Sequence, residues 1–178
     1  EFFPSSQALF EEKGALLSAV KRAGAVLVNG DDEQVKMIVT KLIAEKKLIG
    51  RKIVYFGFDQ PAEIKANGLE FSRDDEGKPG GLKCQIDYAG VVTPFESPQL
   101  YGRHQLYAIL AALGVISIAP YPIFPVTQIL KTYNPPPGRG RLLEGIKKTF
   151  IFDDSYNASP AAILAALETL KSFPAPGR

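Results

Sequence analysis

The first part of the chain alternates between two hydrophobic periods. The spacing predicts a helix from Ser6 to Val20 and a buried strand from Ala25 to Asn29. A second helix, which Asp32 is expected to cap, ends near Lys46, and a second strand runs from Lys52 to Phe56. This alternation is typical of a mostly parallel sheet flanked by helices, so we predict an α/β fold.

The middle of the chain changes to the pattern of antiparallel strands. We predict strands at Ile64–Ser72 and Gly81–Tyr88, and in the second strand the alternation of apolar and polar residues places Cys84 in the core. We interpret Pro94 to Pro98 as a connector. A helix from Arg103 to Ile118 carries apolar residues on nearly every side, so we expect it to be deeply buried.

A proline-rich segment divides the chain. A short helix is predicted from Pro125 to Tyr133, and Asn134-Pro-Pro-Pro-Gly138 follows it. Consecutive prolines are stiff and extended, which is typical of a domain boundary. We therefore predict one domain at residues 1–135 and a second at 136–178.

The second domain contains a conspicuous polar turn, which we define as residues 153–157 (Asp-Asp-Ser-Tyr-Asn). The strand Thr149–Phe152 precedes it, and a helix with Ser159 as N-cap and Pro160 in its first turn follows. Closing a turn needs one or two polar residues, whereas this one has five, so we interpret it as a ligand site. A lone strand–helix unit cannot bury its apolar face, and we expect these residues to be a domain cut short.

Composition narrows the function classes. The chain has 178 residues, 46% of them hydrophobic, and a net charge of +2, which argues against a disordered tail and against a nucleic-acid binder. A single cysteine allows no internal disulfide, and no apolar run reaches the roughly 20 residues of a membrane helix. We expect a soluble, cytoplasmic protein without membrane insertion.

The polar turn also carries a resemblance to a known family. Asp153-Asp-Ser-Tyr-Asn-Ala-Ser-Pro160, followed by an Ala/Leu-rich helix, resembles the start of the C-terminal domain of Mur ligases, most of all those that add D-alanyl-D-alanine to a UDP-muramoyl-tripeptide. The resemblance implies ATP-dependent amide ligation in peptidoglycan precursor synthesis, through an acyl phosphate. It implies a central ATP-binding domain at 1–135, the first βα unit of a Rossmann-like domain at 136–178, small-molecule substrates and a monomeric parent protein.

The resemblance implies a magnesium site near the start of the chain. Mur ligases carry a carbamylated lysine on the helix before a Val-Asn-(Ala/Gly)-Asp-Asp segment, and Lys13 stands at the matching distance before Val28–Asp32. The carbamate oxygens suit Mg²⁺ as a ligand. Asn29 of the same segment is assigned to the nucleotide site. Without the resemblance, Lys13 would be interpreted as a solvated helix lysine.

A second segment, Gly102-Arg-His-Gln-Leu-Tyr-Ala108, resembles the family motif Gly-x-His-Asn-x-x-Asn. In the family the two asparagines face ATP. Gln105 keeps the amide group on a longer arm, whereas Ala108 has no polar group, which puts normal ATP affinity in question. His104, the sole histidine, is implied to be catalytic and to face the nucleotide, but a capping or packing role remains equally open.

Further site residues follow from the resemblance. An arginine at the domain boundary is implied to reach the ATP phosphates, and Arg139 fits this position better than Arg141; a flexible basic linker is the alternative. Asp154 is assigned to the ATP ribose. The residues assigned to the incoming amine substrate are Tyr156, Asn157 and Ser159, with Asn157 also placed at the nucleotide.

One family feature is missing from the sequence. No Gly-x-x-x-x-Gly-Lys-(Ser/Thr) phosphate loop occurs. We therefore expect the chain to be an internal piece of a longer ligase and to be inactive alone. Two alternatives stay open, namely a sister ligase that adds another amino acid or glutamate, and a degenerate, non-catalytic nucleotide-binding or scaffold module.

Overall fold

The computed structural model describes residues 3–59, 62–73, 77–119 and 121–173. These residues form a five-stranded sheet with helices packed on it, and a separate two-stranded sheet followed by a helix. The predicted α/β class is confirmed. The elements, in chain order, are α1 (Ser6–Ala19), β1 (Ala25–Asn29), α2 (Glu33–Ala44), β2 (Lys52–Gly57), β3 (Ile64–Arg73), β4 (Pro79–Tyr88), β5 (Val91–Ser97), α3 (Arg103–Ile118), α4 (Ile123–Leu130), β6 (Arg141–Glu144), a 3₁₀ turn (Ile146–Lys148), β7 (Phe150–Asp153) and α5 (Pro160–Ser172).

The five-stranded sheet has the order β1-β2-β3-β4-β5, parallel at first and then antiparallel. Parallel neighbours usually need a long crossover between them. Here β2 and β3 pair only at Phe56–Ile64 and Gly57–Lys65, where one strand ends and the next begins. Because the overlap is so short, no long crossover is needed between Gly57 and Ile64.

The fifth strand corrects the sequence interpretation. Pro94 to Pro98 was expected to be a connector, but Val91–Ser97 pairs with β4 along its whole length, with Pro94 opposite Gln85. Proline lacks an N–H and is confined to sheet edges, where one donor is not needed by a neighbour. Since β5 is the last strand of the sheet, its proline is tolerated.

The core lies between the sheet and α3. Fully buried side chains from β3, β4 and β5 pack against the inward face of α3, and Cys84 lies among them as predicted. Burial raises the pKa of its thiol to about 11, so the thiol is un-ionised and unreactive at neutral pH. A second, smaller cluster joins β1 to α1 and α2.

The expected all-round burial of α3 is only half right. Leu106, Ile109, Leu110 and Leu113 are at most 1% exposed, whereas Val115 is 56% exposed. The apolar residues of α3 exceed the area that the sheet can cover. Within the described ranges, no helix is long and apolar enough to cross a membrane.

The last part of the chain contains one more strand than expected. Arg141–Glu144 pairs antiparallel with Phe150–Asp153, so the segment is a hairpin followed by α5 rather than a single strand and a helix. A four-residue strand is too short to show a clear alternation in sequence. The predicted cap of α5 is confirmed, because the Ser159 hydroxyl accepts from the amide of Ala162 at 3.2 Å.

Candidate functional site

Residues 137–140, which we call the connecting segment, meet the polar turn directly. The Gly138 amide donates to the Asp153 carboxylate at 3.0 Å, and the Gly138 carbonyl accepts from the Tyr156 amide at 3.0 Å. Gly138 has φ +74°, and a Cβ there would lie 2.9 Å from the Tyr156 nitrogen. Glycine is therefore required for this close approach.

Asp153 organises the polar turn. Its carboxylate accepts from the hydroxyl of Ser155 at 2.6 Å, from the Ser155 amide at 3.3 Å and from Gly138, and its carbonyl accepts from the Gly140 amide at 2.9 Å. The Ser155 hydrogen bond, ahead of the amide bonds and the Arg141 charge, holds the pKa of Asp153 below its usual value. The side chain therefore stays ionised and shapes the backbone around it.

Arg139 is presented at the surface by this arrangement. Its guanidinium lies 4.0 Å from the centre of the Tyr156 ring, and the ring itself is 70% exposed. A guanidinium stacked on an aromatic face keeps its N–H edge available for an anion. The structure thus brings two of the predicted site residues into contact.

Gln105 joins the start of α3 to the connecting segment. Its side-chain oxygen accepts from the Tyr101 amide at 2.7 Å and from the Gly102 amide at 3.0 Å. Its side-chain nitrogen donates to the carbonyls of Arg139 at 3.0 Å and Gly140 at 3.1 Å. The nucleotide contact of Gln105 stays a prediction. In the structure, both the oxygen and the nitrogen of its side-chain amide are hydrogen-bonded to backbone groups.

His104 lies in the first turn of α3, close to α5. A Cβ at Gly102 would collide with its imidazole and with the Thr169 hydroxyl of α5, so the three groups are tightly packed. Burial lowers the pKa of His104, and the negative charge of Asp154 opposes this only partly. The imidazole is therefore neutral at pH 7 and able both to donate and to accept a hydrogen bond.

Two of the predicted substrate residues have local partners. The Asn157 side chain accepts from the Ala158 amide at 3.0 Å, and the Ser159 hydroxyl caps α5. Both side chains are exposed and keep donors for a ligand, because each of these bonds uses an oxygen lone pair only. Their assignment to the amine substrate stays a prediction.

Asp31, which the sequence analysis did not single out, forms a second hydrogen-bond network that reaches α3. Its carboxylate follows β1 and accepts from the amides of Phe58 at 2.8 Å and Asp59 at 2.9 Å, and from the Tyr107 hydroxyl at 2.8 Å. Burial alone would raise the pKa of Asp31, but these hydrogen bonds and the charge of Arg103 outweigh it, so the pKa lies below its usual value. Asp31 therefore links β1, β2 and α3 as a carboxylate.

The same network fixes Arg103. Its guanidinium lies 4.1 Å from the centre of the Phe58 ring, 3.9 Å from the Asp31 carboxylate and 3.8 Å from that of Asp59. Burial and the hydrogen bond to Asp31 raise the pKa of Tyr107 to about 12, so its hydroxyl remains a donor. The sequence does contain a signal for this network, because Asp31 directly precedes the cap residue Asp32 and capping α2 requires only one aspartate.

Lys13 and Asn29 belong to the first two elements of the chain. Lys13 is exposed on α1, and Asn29 ends β1 with its side chain accepting from the Asp31 amide at 3.0 Å. No group of three or more His, Cys, Asp or Glu side chains in the described parts of the chain is arranged to hold a metal. These residues alone do not fit a magnesium ion, because Mg²⁺ requires several oxygen ligands.

Comparison with known proteins identifies the fold. The sequence profile of the Mur ligase middle domain matches residues 1–116. No curated protein matches the chain by sequence. The structure is similar to the MurF ligase of Thermotoga maritima in complex with ADP, with 23% identity and a TM-score of 0.77 over 98% of this chain and 36% of that chain.

Two further structures show the same similarity. MurF from Acinetobacter baumannii matches 96% of this chain and 34% of its own, with 18% identity and a TM-score of 0.77. A UDP-N-acetylmuramoyl-L-alanyl-D-glutamate–2,6-diaminopimelate ligase matches 99% of this chain and 34% of its own, with 19% identity and a TM-score of 0.71. The chain spans about a third of the length of these structures. Since the middle-domain profile covers more than half of it, the chain belongs to the Mur ligase family.

Proposed function

We propose that the protein carrying this chain is an ATP-dependent ligase that joins D-alanyl-D-alanine to a UDP-muramoyl-tripeptide. The observation that carries this proposal is the contact of the polar turn with the start of α3 through Arg139 and Gly138. The likeness to MurF structures supports it. In this proposal the protein acts in the cytoplasm, where ATP is available, on small-molecule substrates and as a monomer.

The proposed reaction has two steps. The tripeptide carboxylate attacks the γ-phosphorus of ATP, which forms an acyl phosphate and releases ADP. The free amine of D-alanyl-D-alanine then attacks the acyl carbon, loses its proton, and expels inorganic phosphate as the amide forms. Phosphoryl transfer depends mainly on positioning and on stabilising negative charge.

The described residues supply those two effects in the proposal. Arg139, stacked on an exposed tyrosine, donates to the phosphate oxygens during transfer. Neutral His104 hydrogen-bonds the nucleotide, and the Asp154 carboxylate accepts from the two ribose hydroxyls. Tyr156, Asn157 and Ser159 hold the dipeptide. The boundary between the two proposed domains lies at the proline run, with 1–135 on one side and 136–178 on the other.

Lys13 is proposed to carry a carbamate that contributes to Mg²⁺ binding, with the other ligands from outside the described residues. Its exposure on α1 leaves the amine accessible to dissolved CO₂. Lys13→Arg keeps the charge and the helix but prevents carbamylation. We expect the Lys13→Arg variant to lose most of the ligase activity at any bicarbonate concentration. The unchanged protein should gain activity as the bicarbonate concentration rises. Equal activity of the two proteins would remove the carbamate from the proposal.

The decisive experiment measures phosphate release from ATP by the 178-residue chain and by the protein that carries it. Each is given UDP-muramoyl-tripeptide, with and without D-alanyl-D-alanine. Release by the longer protein only, and only with the dipeptide, supports the ligase. Arg139→Ala should reduce that release about a hundredfold or more, while the exposed Arg22→Ala should leave it unchanged.

A second candidate is a non-catalytic nucleotide-binding module. It is favoured by Gln105, whose amide is occupied by the backbone, and by Ala108, which has no polar group. ADP binding without phosphate release under any of these conditions would favour this module. Release that depends on a different amino acid would instead favour a sister ligase, and either result would overturn the proposed dipeptide specificity.

A further inference from the structure

We propose that Gln105 is a positioning residue that ties α3 to the connecting segment and thereby sets the orientation of Arg139. The inference rests on the proposed function for the role of Arg139, but the tie itself is argued from contacts alone. Gln105 and Arg139 lie 34 positions apart in sequence, on opposite sides of the proposed domain boundary. One side chain therefore bonds to the backbone on both sides of that boundary.

The four hydrogen bonds of the Gln105 amide use its full capacity. A primary amide has two N–H donors and two oxygen lone pairs. Both partners on one end are backbone N–H groups and both partners on the other end are carbonyls, so the orientation of the amide is fixed by its neighbours. The side chain is 8% exposed, and a nucleotide could contact this amide only after displacing one of its backbone partners.

The connecting segment is shaped to receive this amide. Gly140 has φ +72°, and a Cβ there would lie 2.6 Å from the Gln105 side-chain nitrogen and 3.2 Å from the Phe152 ring. The Gly140 amide in turn donates to the Asp153 carbonyl, which leads into the polar turn. Because Arg139 lies between Gly138, fixed by Asp153, and Gly140, held by Gln105, its backbone is fixed on both sides.

The proposal explains the departure from the family motif. Asparagine has the same amide group on an arm shorter by one methylene, so from the same backbone position its amide would lie farther from the Arg139 and Gly140 carbonyls. The glutamine amide reaches these carbonyls and is committed to the backbone. We infer that this position orients the phosphate-facing arginine through the segment that carries it.

Gln105→Glu tests the two halves of the amide separately. At pH 8 the carboxylate still accepts from Tyr101 and Gly102, but it cannot donate to the two carbonyls and repels them. Hydrogen exchange of the 178-residue chain should show the Gly140 and Tyr156 amides exchanging about tenfold faster or more, with Tyr101 and Gly102 still protected. Gln128→Glu, the same change at an exposed site on α4, should alter neither pair.

Unchanged exchange at Gly140 and Tyr156 in Gln105→Glu would overturn the proposal, since Gln105 would then only cap α3. The amide of Ile86 in β4 reports whether the core is still folded. If Gln105→Glu fails that check, the uncharged Gln105→Asn replaces it, with the same expected loss of protection at the connecting segment. Protection retained by that variant counts equally against the proposal.

A double-mutant cycle tests whether Gln105 acts through Arg139. In the protein that carries this chain, Gln105→Glu and Arg139→Ala should each weaken ADP binding about tenfold, and the double variant should be no weaker than Arg139→Ala alone. Additive losses would mean that Gln105 affects the nucleotide independently, against the proposal. If the unchanged protein does not bind ADP, the proposed function fails, while the exchange experiment still decides the tie.

Discussion

Two helices with similar apolar patterns end up in different environments. Leu106, Leu110 and Leu113 of α3 are completely buried against the sheet. On α5, by contrast, Leu164 is 61% exposed and Leu167 is 50% exposed, although both follow the helical spacing that indicates a buried face. The comparison shows that an amphipathic pattern identifies the apolar face of a helix, whereas burial of that face depends on the other elements that pack against it.

The joint between these two regions is small and specific. Phe173 packs edge-on against Tyr101 and Phe152, with ring centres 5.7 and 5.9 Å apart. Gln105 adds hydrogen bonds to the connecting segment, and the Thr169 hydroxyl packs close to Gly102. We therefore expect the sheet with α3 to hold most of the stability, and the hairpin with α5 to open separately from it.

The largest effect is expected in the sheet. Phe95→Ala removes a ring that is 1% exposed and lies opposite Cys84 on the neighbouring strand. A cavity of this size costs about 3–5 kcal/mol in the free energy of unfolding, which urea denaturation measures. Chemical labelling of the Cys84 thiol should also become faster. A decrease of less than about 1 kcal/mol in the free energy of unfolding would mean that this core contributes little to stability.

An intermediate effect is expected at the joint. Phe173→Ala should cost about 1–3 kcal/mol, because it removes the edge-to-face contacts with Tyr101 and Phe152. Hydrogen exchange should accelerate throughout α5, while the rate of Cys84 labelling stays unchanged. Faster labelling of Cys84 would show that the two regions unfold as one unit and would refute the comparison.

A smaller, pH-dependent effect is expected at Asp31. Because its pKa is lowered in the folded chain, its stabilisation is present above pH about 4 and is lost as the pH falls through the folded value. Asp31→Asn should cost about 1–2 kcal/mol at pH 7, since one amide donor loses its acceptor. Urea denaturation from pH 7 to pH 2 should show this difference shrinking, and a constant difference would contradict the carboxylate network.

The smallest effect is expected on the exposed face of α5. Leu164→Ala should change the free energy of unfolding by less than about 0.5 kcal/mol, because little burial is lost and alanine favours a helix. Leu110→Ala in α3 is the matched comparison, with an expected cost of about 2–5 kcal/mol. Similar costs at the two leucines would mean that α5 is covered in solution.

Much of the fold was predictable because its signals are local. The bounds of β1 and α3 were predicted to the residue, since each has a continuous apolar pattern and a clear end. The Asp32 and Ser159 caps followed from residue type and position alone. The strand with Pro94 was missed because its proline is acceptable only at an edge, and the order of strands is not visible in sequence.

The candidate site was predictable in its membership more than in its contacts. The polar turn, His104 and Arg139 were singled out from short motifs, and their assigned roles stay predictions. The bonds from Gln105 to the carbonyls of Arg139 and Gly140 were missed because these residues lie 34 and 35 positions away, and their proximity depends on how α3 packs against the connecting segment. Asp31 was missed because its partners, Phe58 and Tyr107, come from two other elements.

The proline in β5 also bears on how the protein behaves at high concentration. Val91 and Val92 expose apolar side chains on the outermost strand, where a second copy could add its own strand and begin to aggregate. Pro94 offers no N–H to such an added strand and interrupts the row of donors that it would need. We therefore expect the proline that made this strand hard to predict also to disfavour self-association through the edge of the sheet.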